Sequence, residues 1–337
     1  MISRKGKYTA VFSQGIPILG FGAVASQKEF EGPLGKSFDK ILHDPKAGKP
    51  TWEQAESKFQ QEALACAISK TSLTCEDLDY IFAGDLLNQC ISSSYGLKSF
   101  SVPYLGQYGA CSTMVQSIIM AAVTLHSNIA RYCAAVTSSH FCSAERQYRF
   151  PLEYGGQRTP TAQWTVTAAG SCILGTEHKG DHPFVTAATV GKIVDMGITD
   201  ANNMGAAMAP AAADTILNFL RDTGTSPQDY DAIFTGDLGS VGSQLLYQLT
   251  EKQGINLKDN HFDCGLLIYD RNLQDVHAGG SGCGCCASVL CGHILPSMIE
   301  KKLRRILVVA TGALMSPTSC QQGLSIPCIA HLVEIRI

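Results

Sequence analysis

Hydrophobic and polar positions along the chain follow two spacings, one typical of amphipathic helices and one typical of buried strands. From Thr51, apolar residues fall on one helical face down to about Lys70. A second helix is predicted over 211–221, ending at Gly224, and the polar stretch 138–163 predicts a loop. Short apolar runs predict buried strands at 80–85, 132–137, 185–194 and 306–311. The pattern therefore predicts an α/β protein.

One cysteine lies where a glycine-containing loop runs into an apolar helix. Cys111 is in the loop 106–112, and the residues 114–125 that follow are apolar on nearly every face, which predicts a buried helix. The unpaired N–H groups and the dipole at the first turn of such a helix favour a thiolate. The same setting suits a bound anion. The sequence therefore predicts either a nucleophilic cysteine or an anion-binding pocket.

Two segments of the chain carry the same short pattern. Residues 77–86 and 229–238 share an aspartate followed by Ile-Phe-x-Gly-Asp-Leu, so that Asp85 corresponds to Asp237. In each half a glycine-rich loop with a cysteine then opens a helix, and a buried strand follows that helix. This order predicts a duplicated βαβ unit with a spacing of about 150 residues. We expect an N-terminal half over 1–180 that carries Cys111 and a C-terminal half over 181–337.

Composition excludes several classes of protein. The net charge of −3 over 337 residues gives no electrostatic argument for a nucleic-acid partner. The N-terminus lacks the apolar core of a signal peptide, and no run of about 18 apolar residues predicts a transmembrane segment. The 14 cysteines, without a secretion signal, are typical of reduced thiols. We therefore expect a cytoplasmic protein without a disulfide framework.

Short motifs spread along almost the whole chain carry a specific family resemblance. The duplicated α/β halves and the helix that starts at a cysteine resemble the thiolase and β-ketoacyl synthase superfamily. Within it, the chain resembles most closely the stage V sporulation protein AD family of spore-forming bacteria. The motifs that carry this resemblance are Ser138–His140, Ala144–Gln147, Glu153–Gln157, Gly197–Asp200, Met208–Thr215, Cys264–Tyr269, Ala278–Cys283 and Val308–Leu314.

The resemblance implies a thiolase-like five-layered α-β-α-β-α fold built from two pseudo-duplicated halves, usually a homodimer. The superfamily transfers acyl groups from coenzyme A or carrier-protein thioesters. The sporulation family instead implies a protein that binds dipicolinic acid (pyridine-2,6-dicarboxylate). It also implies a role in moving that compound into the developing spore and out on germination. The expected partners are the other subunits of that spore membrane transport complex, with a location in the cytoplasm or peripheral on the spore inner membrane.

The positions that carry catalysis in the superfamily depart from its pattern here. Cys111 matches the nucleophile position, and attack on a thioester also needs a proton shuttle and an oxyanion hole. The matching positions hold 235–237 and 280–283, which contain neither histidine nor asparagine. His140 could act as a substitute from a different loop. The sequence therefore favours a ligand-binding protein with Cys111 at a vestigial nucleophile position. The alternative is a coenzyme A-dependent acyltransferase that uses Cys111.

A flat dianion such as dipicolinate is bound by guanidinium groups, backbone N–H groups and an aromatic or apolar sandwich. One loop supplies such side chains within ten residues, and the second glycine-rich loop is expected to line the same pocket. The predicted ligand-binding residues are Cys111, His140, Arg146, Tyr148, Arg149, Asp237, Ser281 and Gly282. The alternative for Arg146 is an ion pair with Glu145 or Glu153 that only holds the loop in place.

Metal chemistry is not favoured by the sequence. Asp85 and Asp237 end equivalent strands and could hold calcium that travels with dipicolinate, but an aspartate at this position more often caps the next helix. The cysteines at 283, 285, 286 and 291 crowd one loop and one helix start, which is not the spacing of a zinc site. We expect these cysteines to be small packed residues, and we expect no metal and no cofactor.

Overall fold

A computed structural model describes residues 2–148, 157–177 and 180–337. The strands are β1 (Ile2–Lys5), β2 (Thr9–Ser26), β3 (Lys40–Leu42), β4 (Tyr80–Gly84), β5 (Tyr104–Gly106), β6 (Tyr132–Ser139), β7 (Trp164–Thr165), β8 (Ala168–Gly175), β9 (Phe184–Thr189), β10 (Ala232–Thr235), β11 (His261–Asp263), β12 (Gly280–Ser281), β13 (Arg305–Ala313) and β14 (Cys328–Arg336). The helices are α1 (Gln27–Phe30), α2 (Trp52–Ser69), α3 (Ile91–Leu97), α4 (Thr113–His126), α5 (Phe141–Tyr148), α6 (Met204–Thr223), α7 (Gly239–Glu251), α8 (Cys264–Leu267), α9 (Cys283–Val289), α10 (Leu295–Ile299) and α11 (Pro317–Gln321).

The main sheet consists of two runs of strands with the same order. One run is β5-β4-β6-β8-β2 and the other is β11-β10-β13-β14-β9. In each run the first three strands are parallel, and the next two pairings are antiparallel in the first half and in the second half alike. The internal duplication predicted from the two Ile-Phe-x-Gly-Asp-Leu segments is therefore present in the strand order.

The two halves join through their innermost strands. β2 pairs antiparallel with β9, and Thr9 lies opposite Thr189 in that register. The hydroxyls of these two buried threonines are hydrogen-bonded at 2.7 Å. The junction thus has both a backbone ladder and a polar contact that favours this register.

Helices lie on both sides of each half and between the two halves. α2 packs on the first half against β2 and β8, and α6 packs on the second against β13 and β14. α4 contacts β4 and β6 of the first half and also β13 and β14 of the second, so it lies between them. This is the predicted thiolase-like α-β-α-β-α arrangement, with the Cys111 helix in its central layer.

Two glycines allow α4 and its preceding loop to approach both halves closely. A Cβ on Gly84, at the end of β4, would lie 1.9 Å from the carbonyl oxygen of Gln107. A Cβ on Gly312, in β13, would lie 2.2 Å from the carbonyl oxygen of Gly109. Because no other residue fits at these distances, the two glycines determine how deeply the cysteine loop is buried.

Some sequence predictions differ from the observed elements. The prediction of a loop throughout 138–163 is wrong, because residues 141–148 form α5. α6 begins seven residues earlier than 211, since Pro210 is tolerated inside the helix. Gly224 ends α6 with a φ of 68°, as predicted. The two misses have different causes: α5 is rich in polar residues, whereas the start of α6 is apolar and buried but precedes a proline that normally interrupts a helix.

Candidate functional site

Cys111 lies in a tight turn immediately before α4. Ala110 has a φ of 49°, which is unusual for a residue with a Cβ. Two hydroxyls hold this turn: Ser112 Oγ donates to the carbonyl of Gly109 at 2.6 Å, and Thr113 Oγ1 donates to the carbonyl of Ala110 at 2.6 Å. The side chain of Cys111 is buried, with only 6% of its surface exposed. The turn therefore places the sulfur inside the molecule, at the boundary between the two halves.

The electrostatics of Cys111 oppose a thiolate. Burial raises the pKa of its thiol well above the ordinary value, and the neighbouring Asp237 carboxyl raises it further. A hydrogen bond with the backbone of Gly282 opposes this but is the smaller effect. The prediction that the helix start favours a thiolate is wrong, because desolvation and a nearby acid outweigh the helix dipole.

Asp237 is the acid that faces Cys111. Its side chain is fully buried; Oδ2 accepts from the backbone N–H of Gly282 at 2.9 Å, and Oδ1 accepts from Thr311 Oγ1 at 2.7 Å. Burial raises the pKa of Asp237 to about 7, although the hydrogen bonds from Thr311 and Cys111 act in the opposite direction. Asp237 therefore ties the cysteine loop, the second glycine-rich loop and the end of β13 together.

Asp85, at the equivalent position of the first half, has a different role. Its Oδ1 accepts from the N–H of Leu87 at 2.9 Å. Its Oδ2 accepts from the N–H and the hydroxyl of Ser93, at 2.8 and 2.6 Å. Because Ser93 lies in the first turn of α3, the predicted capping role of Asp85 is confirmed.

Asp237 does not cap the helix that follows it. The N–H groups of Leu238 and Gly239, at the start of α7, are bound by Asp263 at 2.7 and 3.0 Å. The capping prediction for Asp237 is therefore wrong, because Asp263 at the end of the neighbouring β11 occupies that position. Within the described ranges, no group of three or more His, Cys, Asp or Glu side chains is placed to hold a metal ion.

A small cavity of about 50 Å³ opens beside Cys111. Its apolar walls come from both halves of the molecule: Leu86, Ala110, Ala144, Met204, Ala313 and Met315. Its polar lining consists of Cys111, Glu145, Tyr148, Thr165, Ser281 and Gly282. The structure thus brings together four of the predicted ligand-binding residues (Cys111, Tyr148, Ser281 and Gly282), with Asp237 directly behind them.

Tyr148 forms the cavity wall at the C-terminal end of α5. Its hydroxyl donates to the carbonyl oxygen of Leu86 and is 3.1 Å from the hydroxyl of Tyr108. Burial raises the pKa of the Tyr148 phenol. Tyr148 is therefore a neutral hydrogen-bonding wall residue.

His140 lies outside this cavity. Its Nε2 is 2.8 Å from the carbonyl oxygen of Pro45, and its Nδ1 accepts from the N–H of Cys142 at 3.1 Å. The ring packs against Trp52 and Phe59, and burial lowers its pKa. With both nitrogens in use, a neutral His140 holds the start of α5 in place and is not positioned as a proton shuttle for Cys111.

Arg146 also faces away from Cys111. It pairs with Glu53 of α2, a partner that the sequence did not indicate. It lines a larger groove of about 510 Å³ on the opposite side of α5, together with residues of α2 and α3. The alternative that Arg146 holds its segment in place therefore fits the geometry better than direct contact with the Cys111 cavity. Arg149 and Glu153 lie outside the described residues.

Several residues of the site were not found from the sequence. Thr311, which binds Asp237, lies near the carboxyl end of β13, and α/β folds place ligand-facing groups at that end of their strands. That rule could have identified it. Met204 and Met315 carry no such signal, because only the packing of α6 and of the segment after β13 brings them to the cavity.

The second-half cysteines are packed in the interior. Cys283, Cys285, Cys286 and Cys291 are fully buried, as predicted for small packed residues. Cys283 donates to the carbonyl oxygen of Ser138 at 2.9 Å. This contact connects the start of α9 to the end of β6, directly beneath the cavity.

The fold and the cysteine turn define a protein of the thiolase-like class. The chain is similar to the 3-oxoacyl-acyl-carrier-protein synthase III of Aquifex aeolicus VF5, with a TM-score of 0.59 at 14% identity over 96% of this chain and 100% of that one. It is also similar to OleA of Xanthomonas campestris with bound cerulenin, with a TM-score of 0.62 at 13% identity over 96% of this chain and 98% of that one. At these identities the likeness shows the fold alone.

Sequence comparison identifies the family. The model of stage V sporulation protein AD (SpoVAD) matches residues 6–336. The chain is 45% identical over 326 residues to the stage V sporulation protein AD of Bacillus subtilis (strain 168), covering 97% of this chain and 96% of that protein. The chain therefore belongs to the stage V sporulation protein AD family. In the part of the chain that is described, no helix is long and apolar enough to cross a membrane.

Proposed function

We propose that this sporulation protein binds dipicolinic acid in the Cys111 cavity and does not catalyse acyl transfer. In this proposal it serves the movement of dipicolinic acid into the developing spore and its release on germination. Membership of the SpoVAD family supports the biological setting. The retained cavity at the position of a superfamily nucleophile supports the presence of a ligand site.

The observation that carries the proposal is the pairing of a neutral thiol with a buried acid. A cysteine that attacks a thioester must become a thiolate, which needs a positive or hydrogen-bonding neighbour. Cys111 instead faces Asp237, which raises the pKa of the thiol. Among the described residues that line the cavity there is no histidine to carry the proton. The geometry therefore favours binding over turnover.

The cavity offers apolar walls and hydroxyl donors, which are two of the features that bind an aromatic diacid. Its apolar walls suit the faces of a ring, and the hydroxyls of Thr165 and Ser281 can donate to carboxylate oxygens. Asp237, with a pKa of about 7, can hold a proton next to an acidic ligand. Ligand pockets usually measure about 300–1,000 Å³, so a cavity of about 50 Å³ must enlarge when this ligand binds.

The same proposal includes a second copy of the chain and the membrane complex. β5 is the outer strand of the first half, and Leu105 on it is 48% exposed, with Tyr108 just beyond at 44%. An exposed edge with apolar side chains is typical of a surface that pairs with another chain. We propose a homodimer through this edge, held peripherally at the spore inner membrane by other subunits of the transport complex.

Calorimetry with dipicolinate tests the ligand. We expect heat of binding with the natural protein and at least a tenfold loss of affinity in Cys111→Leu, because the longer side chain fills the cavity. Cys320→Leu, an equivalent change at an exposed cysteine, should bind normally. Titration with benzene-1,3-dicarboxylate, which lacks the ring nitrogen, tests whether that nitrogen is needed. Titration with dipicolinate and added calcium ions tests whether the calcium chelate is bound.

Two results would overturn the proposal. If no heat of binding is measured with dipicolinate, either with or without calcium, dipicolinate is not the ligand. A stable adduct on Cys111 after incubation with acyl-coenzyme A, seen by intact-mass spectrometry, would instead support the acyltransferase alternative.

A further inference from the structure

The short helix α5 separates two cavities. Ala144, Glu145 and Tyr148 face the Cys111 cavity of about 50 Å³. Ser143, Arg146 and Gln147 face the outer groove of about 510 Å³. The spacing of each set matches one face of a helix. α5, which is about two turns long, is therefore the wall between the Cys111 cavity and the outer groove.

Polar side chains hold the middle of α5, between the aromatic residues at its two ends. Ala144 is its only buried apolar residue. On the α2 side, Ser143 Oγ donates to Glu56 Oε2 at 2.7 Å, and Arg146 pairs with Glu53. Phe141 stacks on Trp164 and Tyr148 packs against the apolar cluster that contains Cys111, so these polar contacts keep α5 closed together with apolar packing at its two ends.

A further polar contact holds the C-terminal half of α5. Gln147 Oε1 accepts from the N–H of Asn88 at 2.9 Å, and its Nε2 donates to the carbonyl of Leu86 at 3.2 Å. Tyr148 donates to the same carbonyl. The loop at 86–88 thus meets the C-terminal end of α5 through these hydrogen bonds, which water can replace when the helix moves away, and through the packing of Leu86 in the apolar cluster that contains Ala144.

The N-terminal end of α5 is fixed much more firmly. His140 has both ring nitrogens bonded and packs between Trp52 and Phe59. Phe141 stacks on Trp164 with centroids 3.8 Å apart and an interplanar angle of 8°. The N-terminal end of the helix is therefore anchored by two aromatic contacts, and the C-terminal end by the packing of Tyr148 and by exchangeable hydrogen bonds.

Glu56 links α5 to the floor of the cavity. This glutamate is buried, and its Oε1 accepts from Ser138 Oγ at 2.9 Å while its Oε2 accepts from Ser143. The carbonyl of Ser138 accepts from Cys283, the residue after Gly282 of the cavity wall. The bond between Ser143 and Glu56 therefore connects α5 to the same loop that carries Ser281 and Gly282.

From these contacts we infer that α5 is a gate that pivots at His140 and Phe141 and joins the outer groove to the Cys111 cavity. Its closing contacts are Ser143 with Glu56 and Arg146 with Glu53. When they open, the two spaces form one chamber large enough for an aromatic dicarboxylate. The identity of that ligand rests on the proposed function, whereas the gate itself does not.

Alkylation of Cys111 by N-ethylmaleimide, followed by peptide mass spectrometry, tests the gate without any ligand. We expect Ser143→Ala, and more so Ser143→Ala with Arg146→Ala, to react about tenfold faster at Cys111, as loss of a buried hydrogen bond predicts. Ser94→Ala, the same change on exposed α3, should react at the natural rate. Cys133, fully buried in β6, reports global unfolding and should stay unmodified.

Unchanged Cys111 rates in both α5 variants, with Cys133 protected, would overturn the gate. If the variants fold poorly, amide hydrogen exchange of the natural protein decides: faster exchange over 144–148 than over 116–126 supports the gate, and equal exchange overturns it. If the α5 variants accelerate alkylation but calorimetry shows no binding of dipicolinate, the gate is supported and the proposed ligand is wrong. If dipicolinate binds but alkylation is unchanged in the α5 variants, the proposed ligand is supported and the gate is wrong.

Discussion

In each half of this molecule the sequence Gly-Asp-Leu lies at the end of an equivalent strand, yet the two aspartates bind different partners. Asp85 binds the loop and helix that follow it, through Leu87 and Ser93. In the second half Asp263 binds the start of the following helix, and Asp237 instead accepts hydrogen bonds from Gly282 and Thr311 beside Cys111. The difference shows how a duplicated unit can keep one copy for structure while the other forms the site.

The same division is seen in the two cysteine-bearing helix starts. Cys111 lines a cavity, whereas Cys283 is fully buried and donates to a backbone carbonyl. Both lie at the start of a helix after a glycine-rich loop. The burial of each sulfur, and not its position in the repeat, decides which of them is available to a ligand.

Removing the Asp85 carboxylate should produce the largest loss of stability. Asp85→Ala leaves the buried N–H groups of Leu87 and Ser93 without acceptors, at roughly 1–3 kcal/mol each. We expect the free energy of unfolding to fall by about 3 kcal/mol, measured by urea denaturation. Asp77→Ala, an exposed aspartate of a neighbouring turn, is the control and should lose much less. An equal loss in both variants would contradict the structural role of Asp85.

The buried acids should make stability depend on pH. Burial raises the pKa of Asp237 from 3.8 to about 7, so the folded state favours its protonated form. This contribution is complete below about pH 4 and is lost as the pH rises to about 7. Asp263, raised to about 6, and Glu56, raised to about 8, act in the same direction.

Urea denaturation between pH 4 and 8 measures this dependence. We expect the natural protein to lose several kcal/mol over that range, about 4 kcal/mol of it through Asp237 alone, and Asp237→Asn to show a flatter curve. Asp77, whose pKa is lowered by its hydrogen bond to the Thr74 backbone, has the opposite sign, and its contribution is lost as the pH falls. A curve for Asp237→Asn as steep as that of the natural protein would contradict the burial of an acid at this position.

Asp237 should also control the reactivity of Cys111. Neutralising it in Asp237→Asn removes a negative neighbour that raises the pKa of the thiol. We expect the rate of Cys111 alkylation at pH 8 to increase about tenfold, because the pKa of the thiol falls when the negative neighbour is removed. Asp85→Asn, the equivalent change in the other half, should leave the rate unchanged. Equal acceleration in both variants would mean that Asp237 acts through general loosening and not through its charge.

The smallest effect is expected at Cys283. Cys283→Ser keeps a donor for the carbonyl of Ser138 and changes the buried volume little. We expect a loss of about 1 kcal/mol or less in the free energy of unfolding and no change in dipicolinate affinity. Cys111→Ser should be equally mild in stability but should alter that affinity. If Cys283→Ser changed the affinity for dipicolinate as much as Cys111→Ser, the proposed difference between the two thiols would be wrong.

Much of the fold could be read from the residue pattern, because apolar periodicity reports burial directly. The strands at 80–84 and 132–139, the helix capped by Thr51 and the duplicated order of elements all follow from it. α5 was missed because its polar residues are held by partners far away in sequence, such as Glu56 for Ser143. Periodicity contains no information about such partners.

For the site, the sequence by itself determined that Cys111 starts a buried helix, that Asp85 and Asp237 are equivalent, and that the chain has a family resemblance to stage V sporulation protein AD. Only the tertiary structure decided that His140 and Arg146 face away from Cys111, and that Asp263 rather than Asp237 binds the start of α7. It also decided that the Cys111 thiol is neutral. The physical reason is that spacing along a chain sets which way a side chain leaves its own helix or strand. The charge and reach of that side chain depend on desolvation and on neighbours contributed by other elements, which no local pattern records.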